Sequence, residues 1–502
     1  MKKIIALLLA VLMLVSLVAC TKAPADTTTK GDSNDTTAAP VADDTTAAPD
    51  GEPTGEIVTV SWVTVDGKPT TYDSWVKQVN EYIGPKIGVN VEMQYVDGET
   101  LALMYQTGAD YDIMFGEGSD RIQDAYNVGA VAPLDDLLVN VPGLTELIPD
   151  YVFDAVTIDG QICAIPAYKD YSHSEYWIWE KAIVDQYYPE YTEVCTLQDM
   201  YEAVKAIKDA GCDWQSLYMA GSFSNGIPTW NYDTSPVCGF VGINYQGGTE
   251  FVSVFEQPDV KENIETIGKL YTEGYFNQDN YVLDSAEMTE YVVGNGWGWP
   301  SAAETSWKRD GRDVVVSQYM YTTASTGSIR GSYLFLNSAS SEEELIASLK
   351  LIEFLNTDTY LRDLFWYGEE GLNWDYITDE NGDTKVHRYG EADGVENWTM
   401  AAYRQGSFFN VTPQEGSLGY GEIQTLNENA VPSPAMGFVF DKTPVEDIIL
   451  NMNSIWEQYE KMIMCGVDIS LLDTAIAKLY DAGLQTVIDE ANAQYTAWLA
   501  TK

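Results

Sequence analysis

Residues 57–95 read IVTVSWVTVDGKPTTYDSWVKQVNEYIGPKIGVNVEMQY, and the change of period within them decides the fold. Ile57-Val58-Thr59-Val60-Ser61-Trp62-Val63 alternates as a strand does. Residues 73–83 then repeat at helical spacing, with Trp75, Val76, Val79 and Ile83 on one face and Gly84 as the expected stop. Val89-Asn90-Val91-Glu92-Met93-Gln94-Tyr95 returns to strand, and Tyr111-Asp112-Ile113-Met114-Phe115 supplies a third. Strand, helix and strand in succession is the signature of α/β architecture.

The same alternation continues downstream. Thr196 with Asp199 opens a helix whose inward face is Leu197, Met200, Val204 and Ile207, with Gly211 just beyond its end. Ser341 with Glu344 repeats the capping pair before Leu345, Leu349, Ile352 and Leu355, and Ser470 with Asp473 repeats it before Ile476 and Leu479. Asn381-Gly382 sits in the middle of a hairpin over 374–389. The loop Asp379-Glu380-Asn381-Gly382-Asp383 lacks the glycine and glutamate positions of an EF-hand and reads as a solvated turn.

Composition removes whole classes of function. The 502 residues carry 27 basic and 77 acidic side chains, a formal charge of −50. That excludes nucleic-acid binding, which needs clustered Lys and Arg, and charge-driven docking on anionic lipid. His173 and His387 are the two histidines, too few for a three-histidine zinc site, and no HExxH is present. No metal and no cofactor is expected. Tyrosine (33), tryptophan (14) and phenylalanine (14) are the surplus and the first hint of function.

Ahead of the body, Lys2 and Lys3 precede the apolar run 4–19, which ends in Leu17-Val18-Ala19-Cys20. The pattern resembles a bacterial lipoprotein signal with its lipobox, and the resemblance implies lipid modification at Cys20 and an anchor on the outer face of the cell membrane. Residues 21–56 are rich in Thr, Ala, Asp and Pro and repeat DTTAAP. They read as a disordered tether of about 36 residues, reaching roughly 35 Å as a flexible coil. With +2 on residues 1–20 and −6 on 21–56, the remaining body keeps −46 of the total. Cys163, Cys195, Cys212, Cys238 and Cys465 form no CxxC, and are read as small apolar residues, with a Cys195–Cys212 clasp as the alternative.

Several segments carry a likeness to a family. Gly108-Ala109-Asp110-Tyr111-Asp112-Ile113, Gly129-Ala130-Val131-Ala132-Pro133-Leu134-Asp135-Asp136-Leu137-Leu138 and Asp159-Gly160-Gln161-Ile162-Cys163-Ala164-Ile165-Pro166 resemble conserved stretches of extracellular solute-binding proteins of sugar-type ABC importers. Tyr367-Gly368-Glu369-Glu370-Gly371, Ser433-Pro434-Ala435-Met436-Gly437-Phe438, Gly466-Val467-Asp468 and Ala482-Gly483-Leu484 resemble the LplA-like branch. The likeness implies a type II periplasmic-binding-protein fold, with two α/β lobes joined by a hinge and a ligand cleft between them. By analogy the first lobe spans 57–166 and 329–372, and the second 167–328 and 373–502.

The same resemblance implies a non-catalytic protein, monomeric, that delivers a neutral solute, most simply an oligosaccharide, to ABC permease subunits. An acidic body disfavours anionic cargo. Candidate ligand contacts are Trp62 at the end of the first strand and Glu117 after the third, the edge where open α/β sheets hold ligands. Tyr168 and Asp170 follow the first passage between lobes. Trp230 and Tyr232 form an aromatic-polar cluster, and Gly296-Trp297-Gly298-Trp299-Pro300 resembles the family's tryptophan-bearing loop. Trp366 and Arg404 complete the set, whereas Trp75, Trp456 and Trp498 fall on helical faces and are assigned to packing. The alternatives are a cell-surface glycoside hydrolase, which would need two opposed carboxylates, and an adhesin, which would not need two lobes. No GxSxG turn supports a serine hydrolase.

Overall fold

A computed structural model describes residues 56–502, apart from 224–225, 286 and 418. The signal segment, Cys20 and residues 21–55 of the tether lie outside the described residues.

The opening alternation folds as the period demands. Val58–Thr64 pairs in parallel with Val89–Tyr95 and with Ile113–Gly116, setting Trp62 opposite Met93 and Ile113. Tyr333–Leu336 and Ile165–Pro166 add antiparallel, completing a five-stranded sheet. The third strand runs from Ile113, and just before it the Asp112 carboxylate accepts from the Ser61 amide at 2.8 Å.

The first helix runs Tyr72–Ile87, past its expected stop at Gly84. Ile87 extends the buried stripe of Ile83 by one more turn, and the helix closes at Gly88 (φ 71°), whose amide donates to the Gly84 carbonyl. The Thr196/Asp199 and Ser341/Glu344 pairs both form reciprocal capping boxes. Ser470 does not. Its amide and hydroxyl both donate to the Asp468 carboxylate, making a short 3-10 turn before the helix Leu472–Ala482.

A second sheet orders Val293–Trp297, His173–Glu180, Val314–Ala324 and Val431–Pro432. Behind it, Trp177 and Trp179 pack on the helix Leu197–Asp209. A further core joins the small sheet of Tyr232–Cys238, Val241–Asn244 and Val252–Ser253 to the C-terminal helices, where Trp456 stacks on Phe255 at 4.4 Å and Trp498 on Tyr495.

One boundary moves. Residues 374–411 were assigned by analogy to the second lobe, yet Trp374, Val386, Trp398, Met400 and Val411 are buried in the core of the first. Aromatic packing explains the move: Trp398 meets Trp75 at 5.2 Å and donates its indole N–H to the Phe365 carbonyl. On this packing we place the passages between lobes at 167–172, at 325–332 and at 412–430, later than expected for the last.

Among the described residues the five cysteines are free thiols, with Cys163, Cys212 and Cys465 buried and Cys195 exposed. That rules out the Cys195–Cys212 clasp in this structure and exempts Cys195 from the apolar role.

Candidate functional site

The strands place chemistry at one end of each sheet. In the first, the parallel strands deliver Asp66 and Glu117 just past their C-termini, on the side where Tyr333 begins its strand after the second passage. Tyr333 lies flat across Gly116, where an added Cβ would fall 2.1 Å from its ring, and its hydroxyl donates to the Gly118 carbonyl. A side chain at 116 would push the ring aside.

Asp66 is buried and gathers three donors: Thr64 Oγ1 at 2.8 Å, the Ala401 amide at 2.9 Å and Arg404 Nη1 at 2.5 Å. The Arg404 guanidinium lies over the rings of Tyr403 and Phe115, at 4.8 and 5.1 Å, so it is shared between a carboxylate and two π-faces. Arg362 holds the segment that carries Arg404. Fully buried, it donates to the Ser407 and Ala402 carbonyls at 2.6 and 2.9 Å. Burial lowers its pKa and raises that of the adjacent Asp363, whose charge in turn supports Arg362.

Aromatic rings tie the first and last passages to the first lobe. Trp366 meets Phe408 at 5.0 Å and Tyr420 at 5.3 Å, and the Phe408 amide donates to the Tyr168 carbonyl. Tyr168 itself is buried edge-on against Phe409. Asp170 pairs with Lys169 at 2.8 Å.

In the second sheet all passages arrive at the end marked by His173, Thr323 and Val431, which are paired across the strands. Trp297, at the end of an antiparallel neighbour, stands there too and is 49% exposed. The ring of His173 lies 4.9 Å from that of Trp230 and 6.1 Å from that of Trp297. Trp230 is anchored from behind by its N–H, which donates to the Tyr321 carbonyl at 3.0 Å. That carbonyl is aimed by an irregularity in the Val314–Ala324 strand, where Met320 adopts a left-handed φ of 51°. Two residues along from His173, Glu175 is buried and accepts from Asn295 at 2.6 Å.

The structure thus brings Trp230 and Trp297 together through His173, and on the other lobe sets Arg404 against Asp66 and over the ring of Phe115, two residues before Glu117. Tyr168 and Asp170 fall on the first passage, and Trp366 packs against Phe408 and Tyr420. Trp299 is partly buried at the head of the 3-10 turn Pro300–Glu304. Two expectations are corrected. Trp62 is fully buried and stacks on Phe365 at 5.8 Å, because its position in the strand points it into the core. Tyr232 turns away to the helix Pro258–Thr272, donating to Asp259. His173, Tyr403 and the Asp66 carboxylate were not among the expected contacts. The cue for His173 was its place as the first residue of a strand entered directly from a passage. An open depression of about 590 Å³ lies elsewhere, against the opposite ends of the first strands.

The sequence pattern of the bacterial extracellular solute-binding proteins matches residues 74–368, more than half of the chain. The chain belongs to that family. A second pattern, described as a domain of unknown function, matches residues 434–500 of this solute-binding protein. A carbohydrate ABC transporter substrate-binding protein of Streptococcus pneumoniae is 24% identical to it over 478 residues, covering 89% of this chain and 92% of the relative. The crystal structure of an N-glycan transport solute binding protein, also from Streptococcus pneumoniae, superposes with a TM-score of 0.70 at 22% identity, over 88% and 99% of the two chains. The same relative in complex with Man1GlcNAc gives 0.56 over the same shares. An HMO binding solute-binding protein from Bifidobacterium longum infantis gives 0.56 at 17% identity, again over 88% and 99%. The fold of this solute-binding protein is accordingly the two-lobed α/β type, and the family is extracellular.

Proposed function

We propose that this solute-binding protein captures a neutral oligosaccharide outside the cell and delivers it to the transmembrane subunits of an ABC importer, held to the membrane by lipid at Cys20 and performing no chemistry on its cargo. The observation that carries this reading is the half-exposed Trp297, backed by His173 and Trp230, at the end of the second sheet where the passages between lobes arrive. Such a ring offers an apolar plate to a pyranose. A ligand touching both lobes stabilises their closed arrangement by its differential affinity, and that arrangement is what a permease senses.

Neutrality is supported by the charges at the site. Arg404 is already matched by Asp66 and Lys169 by Asp170, so neither cation stands ready for a carboxylate on the ligand. The body's −46 adds a field that disfavours anions. The relatives add weight: one is a carbohydrate importer component, another transports N-glycans and a third binds HMO. The N-glycan relative scores differently with and without Man1GlcNAc over the same span, so structures of that one chain differ in arrangement.

Calorimetry of residues 57–502 against neutral and uronate-containing oligosaccharides tests the reading. A saturable one-to-one isotherm with a neutral glycan, recovered unchanged, is expected. Shortened glycan after incubation would replace it with the hydrolase reading, and tight binding of uronates alone would overturn the neutral cargo. Globomycin-sensitive processing and loss of membrane association in Cys20→Ala would test the anchor.

A further inference from the structure

We propose that His173 is the polar centre of the second lobe's ligand platform, one nitrogen of its imidazole hydrogen-bonding a hydroxyl of a sugar ring whose C–H face rests on Trp297. This rests on the glycan-binding reading above and assigns a residue and a geometry within it.

Placement comes first. His173 opens the strand His173–Glu180 directly after the passage 167–172, opposite Thr323, the last residue but one of its own strand before the next passage. Its ring is fixed from two sides, tilted against Trp230 at 4.9 Å and edge-on to Trp297 at 6.1 Å. Trp230 is nearly fully buried and tied to Tyr321, so it acts as a rigid backstop, while Trp297 remains half open. The platform is thus one fixed ring, one polar ring and one exposed plate.

The polar neighbours are already committed. Ser174 bonds the Thr322 hydroxyl at 2.8 Å, Glu175 accepts from Asn295, and the Trp230 N–H is used by Tyr321. The ring nitrogens of His173 take no hydrogen bond among the described residues, and burial is what holds the imidazole toward its neutral form. A neutral imidazole presents one N–H and one lone pair on opposite sides of the ring edge. A sugar hydroxyl, which both donates and accepts, can meet either one. His173 is only partly buried, so a ligand hydroxyl would take the place of water at its open nitrogen.

Glutamine can keep one donor and one acceptor, whereas phenylalanine keeps the ring packing and loses both. Binding of wild type, His173→Phe, His173→Gln and Trp297→Ala is read on an array of neutral mannose-, galactose- and N-acetylglucosamine-containing oligosaccharides, with dissociation constants for those that bind. His173→Phe is expected to lose roughly tenfold to hundredfold in affinity, and His173→Gln to stay within about threefold of wild type. Melting temperatures of both variants within a few degrees of wild type exclude unfolding as the cause; if His173→Phe does not fold, the ranking of His173→Gln against His173→Ala decides. Wild-type affinity in a folded His173→Phe, with Trp297→Ala impaired, would overturn this assignment and leave the glycan reading standing. No binding by wild type to any array member would overturn both.

Discussion

Asn427, on the last passage between lobes, donates from Nδ2 to the main-chain carbonyl of Lys169 at 2.6 Å. The same side chain accepts the Ser172 amide through Oδ1 at 3.2 Å, so one buried amide joins two of the connections that must flex together. Asn427→Leu should leave the Ser172 N–H without a partner and cost about 1–3 kcal/mol. Denaturant unfolding measures the loss, and hydrogen exchange at the Ser172 amide should accelerate beyond the global change.

Trp297→Ala removes an exposed plate and little packing. Thermal stability should change by less than about 0.5 kcal/mol, while affinity for a bound neutral glycan should drop about tenfold, the worth of roughly 1.4 kcal/mol. Equal affinities would remove Trp297 from the site.

Trp62 predicts the opposite profile. Trp62→Ala should cost about 3–5 kcal/mol by emptying the space against Phe365. Its indole N–H is buried without a partner, so Trp62→Phe is expected to cost less than about 1.5 kcal/mol. Unfolding curves of the two variants check the ranking.

The Asp66–Arg404 pair calls for a cycle. Asp66→Ala strips three donors of their acceptor and strands a guanidinium that is mostly shielded from water, at a cost of about 3–5 kcal/mol. Adding Arg404→Met should recover part of that cost. Purely additive losses would show that the two charges do not depend on each other.

Acid should act on the helix caps. Glu344 accepts from the Ser341 amide and hydroxyl, which holds its pKa below the ordinary 4.5. Its contribution is therefore complete above about 4.5 and is lost as pH falls through the lower folded value. The melting-temperature gap between wild type and Glu344→Gln should narrow across that range, and Ser341→Ala should cost about 1 kcal/mol at neutral pH.

The alternating periods of 57–95 and the Ser341/Glu344 box were legible because both are local: each depends on spacing within one or two turns of chain. Trp62 was not, since alternation tells which residues share a face but not which face the core will cover. The home of 374–411 was hidden for a related reason. Its hairpin follows from Asn381-Gly382, but its lobe is chosen by Trp398 meeting Trp75, more than three hundred residues away. His173 escaped notice because one histidine in an acidic chain carries no pattern. Only the convergence of strand starts and tryptophans gives it a setting.

Met320 is a β-strand residue in a left-handed backbone conformation that side chains avoid. Its geometry turns the Tyr321 carbonyl toward the Trp230 indole and so seats that ring. Selection for heat resistance alone would favour relaxing that torsion, and Trp230 would lose the carbonyl that holds it. Durability and the seating of Trp230 meet at a single main-chain torsion.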